Sequence, residues 1–120
     1  MNDPTTEGAY ELFQEGRRRL REGMAAQATV PLEKAKRIEP DKASIRETLG
    51  IAYFRLRRWK EAEDEFRVIL DLSPIDDFAH YALARSLEHQ GRIGEATGHY
   101  KIASTMVPGN EQYQGRLRHL

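Results

Sequence analysis

The chain has 120 residues, 39% of them hydrophobic and 32% charged, which is typical of one folded domain and excludes a disordered chain. Nineteen basic residues match nineteen acidic ones, so the zero net charge argues against binding nucleic acid by bulk electrostatics. The absence of cysteine excludes disulfides, thiolate zinc sites and cysteine nucleophiles. Neither a signal peptide nor an apolar stretch of the ~18 residues that a membrane span needs is visible, so we expect a cytoplasmic protein.

A period of 34 residues runs through the chain. Five rows of residues keep this spacing: Pro40, Pro74 and Pro108; Ala28, Ala62 and Ala96; Leu32, Phe66 and Tyr100; Ala35, Ile69 and Ala103; Gly16, Gly50 and Ala84. A repeat of this length is a sign of stacked structural units. The predicted organisation is a lead-in at 1–8, three units at 9–42, 43–76 and 77–110, and a short capping helix within 111–120.

Each unit is predicted to form a hairpin of two helices, because apolar residues recur at helical spacing in both of its halves. The predicted helices are 9–22, 25–38, 43–56, 59–72, 77–90, 93–106 and 111–118. Asp41 and Asp76 are predicted N-caps, and Gly23 and Gly91 are predicted to end first helices. The repeated prolines should end the second helices, whereas Pro31 lies inside one and should bend it.

The pattern of Leu49-Gly50, Tyr53, Ala62, Phe66, Ile69 and Pro74 resembles the tetratricopeptide repeat (TPR). The resemblance covers 9–110 and implies an all-α, right-handed superhelical stack whose first helices line a concave groove. Members of this family mostly bind peptides or protein segments there. Five residues depart from the pattern: Arg19, Arg46 and His80 replace large apolar residues, Arg57 replaces glycine, and Pro31 interrupts a helix.

Helical spacing puts five positions of each unit on the face that the resemblance assigns to the groove. These are Tyr10, Phe13, Arg17, Leu20 and Arg21; Ser44, Glu47, Ile51, Phe54 and Arg55; and Phe78, Tyr81, Arg85, Glu88 and His89. Aromatic and arginine residues are typical binding anchors. We therefore expect the ligand to be a protein segment with apolar anchors and some acidic residues. In the alternative interpretation the aromatic residues only pack between units, and Glu47 and Glu88 neutralise two of the arginines.

One variant of the family clamps the terminal carboxylates of chaperone tails with Lys, Asn or Arg. The matching positions here are Phe13, Arg17, Thr48, Phe78 and Ala82, of which only Arg17 fits, so that ligand is not expected.

No HExxH, phosphate-binding glycine loop or GxSxG motif occurs, and the four histidines form no metal pattern. The sequence therefore predicts neither an enzyme nor a cofactor or metal, but a scaffold or adaptor that binds a partner protein. Two alternatives remain open. One is self-association through the end of the stack. The other is RNA binding through two basic runs, Arg17, Arg18, Arg19 and Arg21, and Arg55, Arg57, Arg58 and Lys60.

Overall fold

A computed structural model describes the backbone of residues 4–120 and the side chains from residue 8 onwards. Within that range the chain forms seven helices and no strand. They are α1 (Pro4–Arg21), α2 (Ala25–Ile38), α3 (Ala43–Arg55), α4 (Trp59–Leu72), α5 (Asp77–His89), α6 (Ile93–Met106) and α7 (Glu111–Arg118). The predicted all-α stack is confirmed. α1 begins five residues earlier than predicted, and residues 1–3 of the predicted lead-in lie outside the described residues.

Consecutive helices pack as hairpins, α1 with α2, α3 with α4 and α5 with α6, and the hairpins stack through α2–α3 and α4–α5. The glycines allow close packing within a hairpin, because a Cβ on Gly50 would lie 2.8 Å from Cζ of Phe66. A Cβ on Gly16 would lie 2.4 Å from Cγ of Leu32. Phe66 and Leu32 are almost completely buried, so the large residue of the second helix fills the space over the glycine of the first.

The tight turns within the hairpins need a residue in the left-handed region. Gly23 and Gly91 have φ values of 79° and 78°, which confirms that they end the first helices of their units. In the middle unit Arg57 takes the same place with φ 61°. An L-residue is strained there, so this turn is less stable than its two counterparts.

The N-cap residues of α3, α5 and α7 are spaced 34 residues apart, as the repeat requires. Asp76 is the N-cap of α5, and its carboxylate accepts a hydrogen bond from the Ala79 N–H at 2.9 Å. The prediction that Asp41 caps α3 is wrong, because α3 begins at Ala43 and its N-cap is Lys42, which makes no side-chain cap bond. Asn110 caps α7 in the same way as Asp76 caps α5.

The second helix of each unit ends two residues before the repeated proline, and a side chain six residues after that proline closes the turn. The Pro40 carbonyl accepts a hydrogen bond from Arg46 Nε at 2.8 Å, and the Pro108 carbonyl accepts one from Gln114 Nε2 at 3.2 Å. Between them, His80 Nε2 lies 2.8 Å from the Pro74 carbonyl oxygen. Two departures from the TPR pattern, at 46 and 80, are therefore hydrogen-bond donors that join one unit to the next.

Candidate functional site

The first helices α1, α3 and α5 carry the face that the TPR resemblance assigns to a groove, which we call the concave face. A cavity lies on it where the second and third units meet. Its volume is about 360 Å³ and most of its lining is apolar. Six predicted groove residues line it: Ile51, Phe54, Arg55, Phe78, Tyr81 and Arg85. Phe66, Ala82 and Gln112 also line it and were not predicted as groove residues. We call this space the central cavity.

Packed aromatic rings form the floor of the central cavity. Phe78 meets Phe66 edge to face at 6.3 Å between ring centroids, and it lies 6.3 Å from Tyr81. Tyr81 is buried and stacks on Tyr113 of α7 at 4.8 Å. The Tyr113 hydroxyl donates to Asp77 at 2.7 Å, so α7 packs against these aromatic rings and helps to fix their positions. A rigid aromatic floor of this kind buries apolar side chains of a ligand at little cost in conformational entropy.

The concave face continues from the central cavity towards the first unit. A second cavity, lined by Arg17, Leu20, Arg21, Thr48, Ile51 and Arg55, shares Ile51 and Arg55 with the central cavity. A third, of about 230 Å³, is lined by Ala9, Tyr10, Phe13, Glu39, Lys42, Ser44 and Ile45. The structure thus brings most of the predicted groove residues together along one face.

Four arginines on this face have no carboxylate partner among the described side chains. Arg17 lies 5.5 Å from the Phe13 ring centroid, and Arg21 is exposed. Arg55 donates to the Leu20 carbonyl at 3.1 Å. Arg85 lies 5.3 Å from the centroid of the Phe54 ring and donates to the Tyr81 hydroxyl at 3.3 Å. Its buried Nε has no hydrogen-bond partner in the described part of the chain. A guanidinium without a carboxylate keeps its charge available to a ligand.

Arginines elsewhere in the described chain are mostly paired. Arg18 bonds Glu15 and Glu22, and Arg58 bonds Glu61. Arg19 and Lys60 likewise form ion pairs, so half of the two basic runs is neutralised along the helices. The zero net charge of the chain therefore conceals a local excess of positive charge on the concave face.

Three predicted groove residues line none of these three cavities. Glu88 accepts hydrogen bonds from Tyr100 at 2.7 Å and from Arg116 at 2.6 Å. Burial raises the pKa of Glu88, but the Tyr100 hydrogen bond and the Arg116 charge outweigh it, so that its pKa is lowered. The interpretation that Glu88 is paired with a groove arginine is wrong, because its ion-pair partner is Arg116 of α7.

The other two such residues are Glu47 and His89. Burial and the neighbouring Asp76 charge raise the pKa of Glu47, which makes no ion pair among the described residues. His89 stacks on Trp59 at 4.0 Å between ring centroids and meets Phe54 edge on. Burial and the Arg85 charge lower the pKa of His89. Neither residue lines any of the three cavities.

In the part of the chain that the structure describes, no group of three or more histidines, acidic residues or cysteines lies close enough to hold a metal ion. None of the described helices has the length and apolar content required to span a membrane.

The residues that sequence reasoning missed in the central cavity had visible signals. The ring of Phe66 is large enough to reach Gly50, and it also borders the cavity. Ala82 lies four residues after Phe78 on α5, and Gln112 lies in the predicted capping helix. Treating α7 as the start of a further unit would have placed Gln112 at the groove position of Phe78.

The fold is that of a TPR-type helical-repeat domain, and comparisons with solved structures agree. The TPR domain of OM64 from Arabidopsis superposes with a TM-score of 0.91 at 15% identity, covering 96% of this chain and 95% of that one. The first TPR domain of Spaghetti (RPAP3), described as bound to the HSP90 peptide SRMEEVD, gives 0.89 at 20% identity, with 95% and 90% covered. A mutant of MamA is 31% identical over 82% of this chain and 72% of that one, with a TM-score of 0.78.

The family comparison is more specific. The family model described as "BTAD: Bacterial transcriptional activator domain" matches residues 5–107, so the chain belongs to the bacterial transcriptional activator domain family. A search of curated proteins finds no match.

Proposed function

We propose that the chain is an interaction module whose concave face binds an extended or helical segment of a partner protein, with apolar anchors and acidic residues. The observation that carries this proposal is the combination of an apolar central cavity with four arginines that lack a carboxylate partner among the described side chains. Apolar anchors of the segment would be transferred from water into the central cavity, and this burial supplies most of the binding energy. Carboxylates on the segment would pair with the arginines and fix its direction.

Two further findings support this proposal. The RPAP3 domain of similar fold is described with a bound peptide that contains three acidic residues, although only the fold is shared at 20% identity. The family description supports a role in a transcriptional activator, where we propose that this chain contacts another protein rather than DNA. The zero net charge and the paired arginines of the basic runs support that choice.

Binding to an array of acidic–apolar peptides, measured by fluorescence anisotropy, tests the proposal. The double variant Arg17→Glu with Arg55→Glu should reduce the affinity of the peptides that bind by at least about tenfold, because opposed charges become like charges. Both arginines are exposed, so the fold should be retained. The matched control is Arg37→Glu with Lys101→Glu, which makes the same change of net charge on exposed positions of α2 and α6.

A groove site predicts that only the first pair weakens binding. Equal weakening by both pairs would show a nonspecific charge effect, and unchanged binding by the first pair would place the binding surface elsewhere. Light scattering of the free protein tests the alternative of self-association, which predicts a mass above that of a monomer.

A further inference from the structure

Two histidines face each other across the third hairpin. His80 of α5 and His99 of α6 place their Nδ1 atoms 3.0 Å apart. His80 is buried, with 7% of its surface exposed, and its other ring nitrogen contacts the Pro74 carbonyl. Because a carbonyl oxygen can only accept, His80 Nε2 must carry a proton and donate it. In the neutral ring Nδ1 of His80 is therefore an acceptor, and His99 Nδ1 must donate to it.

The geometry of the two rings indicates a shared proton rather than a metal. Their planes are 24° apart and their centroids 5.3 Å apart, which is close to the nitrogen–nitrogen distance plus the two ring radii. The two Nδ1 atoms therefore point directly at each other. A metal on this line would lie at half of 3.0 Å from each nitrogen, whereas metal–imidazole bonds are about 2.0–2.1 Å. A proton fits in this space and a metal does not.

Counting ring protons shows how the pair responds to acid. The neutral pair keeps the contact, and so does the pair with one added proton, because His99 can take it on Nε2 and still donate from Nδ1. A second added proton must go to His80 Nδ1, where it would face the His99 N–H head on. The two positive rings would then repel each other, so the contact must break before the pair can hold both protons.

The charges around the pair offset this repulsion only in part. Arg67 and Asp71 of α4 line the same cleft, and Glu95 lies four residues before His99 on α6. Arg67 and Glu95 pair with each other at 3.3 Å, and Glu95 also bonds Arg92. Burial, the His80 ring and the Arg67 charge lower the pKa of His99, and Glu95 opposes them only in part. Asp71 is the one carboxylate of the cleft with no ion pair among the described residues.

We propose that His80 and His99 form an acid-sensitive latch that joins α5 to α6, holds one added proton and opens when a second one binds. Opening of the latch separates His99 of α6 from His80, which also bonds the Pro74 carbonyl in the turn before α5. This proposal is independent of the concave face, because His80 and His99 line a different cleft from the groove residues.

The chain itself supplies the test variant. Gln114 stands at the position of His80 one period later and donates to the Pro108 carbonyl. His80→Gln should therefore keep the bond to Pro74 but cannot take a proton. We expect wild-type protein and His80→Gln to melt within a few degrees of each other at pH 7.5. Between pH 7 and pH 5 the wild type should lose more of its melting temperature than the variant does.

Nitrogen-15 NMR of the imidazoles gives a second readout. In wild type at pH 7.5, His80 should be the Nε2–H tautomer and His99 the Nδ1–H tautomer, and the second protonation of the pair should need a clearly lower pH than the first. His119→Gln is the control, since His119 is exposed at the end of α7 and should leave the pH profile unchanged. Protonation of each ring independently of the other, or equal acid sensitivity of wild type and His80→Gln, would overturn the proposal.

Discussion

Arg19 supplies the hydrogen bond that Pro31 removes. Pro31 has no N–H to donate to the carbonyl of Gln27, four residues earlier in α2, and Nη1 of Arg19 donates to that same carbonyl at 2.9 Å. Both residues depart from the TPR pattern, and each departure accounts for the other. α2 consequently runs unbroken from Ala25 to Ile38 with a buried proline inside it.

This pairing predicts a coupling between the two positions. Arg19→Leu restores an apolar residue but leaves the Gln27 carbonyl without its donor, and it should lower the free energy of unfolding by about 1 kcal/mol. In a Pro31→Ala background the new backbone N–H bonds that carbonyl, so the same change should cost much less. Urea unfolding of the four proteins in a double-mutant cycle measures the coupling. Additive effects would show that the Arg19 bond does not compensate for the proline.

The strained turn at Arg57 predicts a stabilising substitution. Arg57→Gly puts the residue that the other two units use into the left-handed position, and it should raise the free energy of unfolding by about 0.5–1 kcal/mol. Arg57 is exposed and makes no ion pair among the described side chains, so little else is lost. The reciprocal variant Gly91→Arg should be destabilising by thermal unfolding. No gain from Arg57→Gly would mean that this turn relaxes to a different conformation.

Glu63 predicts an acid-dependent loss of stability. Its carboxylate is 1% exposed and accepts hydrogen bonds from Arg67 at 2.8 Å, Gln90 at 3.0 Å and Arg92 at 2.9 Å. Burial raises the pKa of Glu63, but these partners, with Gln90 and Arg67 foremost, outweigh it and lower the pKa below the ordinary value. A lowered carboxylate pKa contributes stability above the pKa of the unfolded chain, and that contribution is lost as the pH falls through the folded pKa.

Glu63→Gln should therefore cost about 1–3 kcal/mol at pH 7, and the difference from wild type should shrink towards pH 3. Urea unfolding at both pH values measures it. Glu61→Gln is the matched control, because the Glu61–Arg58 pair is exposed and should contribute under about 1 kcal/mol. A cost for Glu63→Gln that does not depend on pH would mean that packing, and not charge, makes Glu63 important.

The periodic sequence predicted most of the fold because helix ends and small residues recur in one phase. The wrong N-cap at Asp41 could have been avoided by the same period. The capping position is two residues after each proline, which selects Lys42, Asp76 and Asn110. Asp41 instead corresponds to Ile75, which caps nothing.

The site was less predictable, because its charge balance depends on contacts between distant side chains. Glu88 forms an ion pair with Arg116, which lies twenty-eight residues away in a helix outside the three full units. Helical spacing gives the face on which a residue lies, but it does not show which of two nearby carboxylates or arginines becomes the partner. That Arg17 and Arg85 have no carboxylate partner among the described side chains could be seen only once the other pairs were in place.

The three turn-closing donors at 46, 80 and 114 have an evolutionary consequence. Arginine, histidine and glutamine perform the same task at equivalent joints, and a single nucleotide change converts a histidine codon into one for either of the others. Selection can therefore add or remove a titratable joint without a destabilised intermediate. We expect relatives of this chain to differ in which joint carries the imidazole, and so in the acidity that they tolerate, while keeping the same stack.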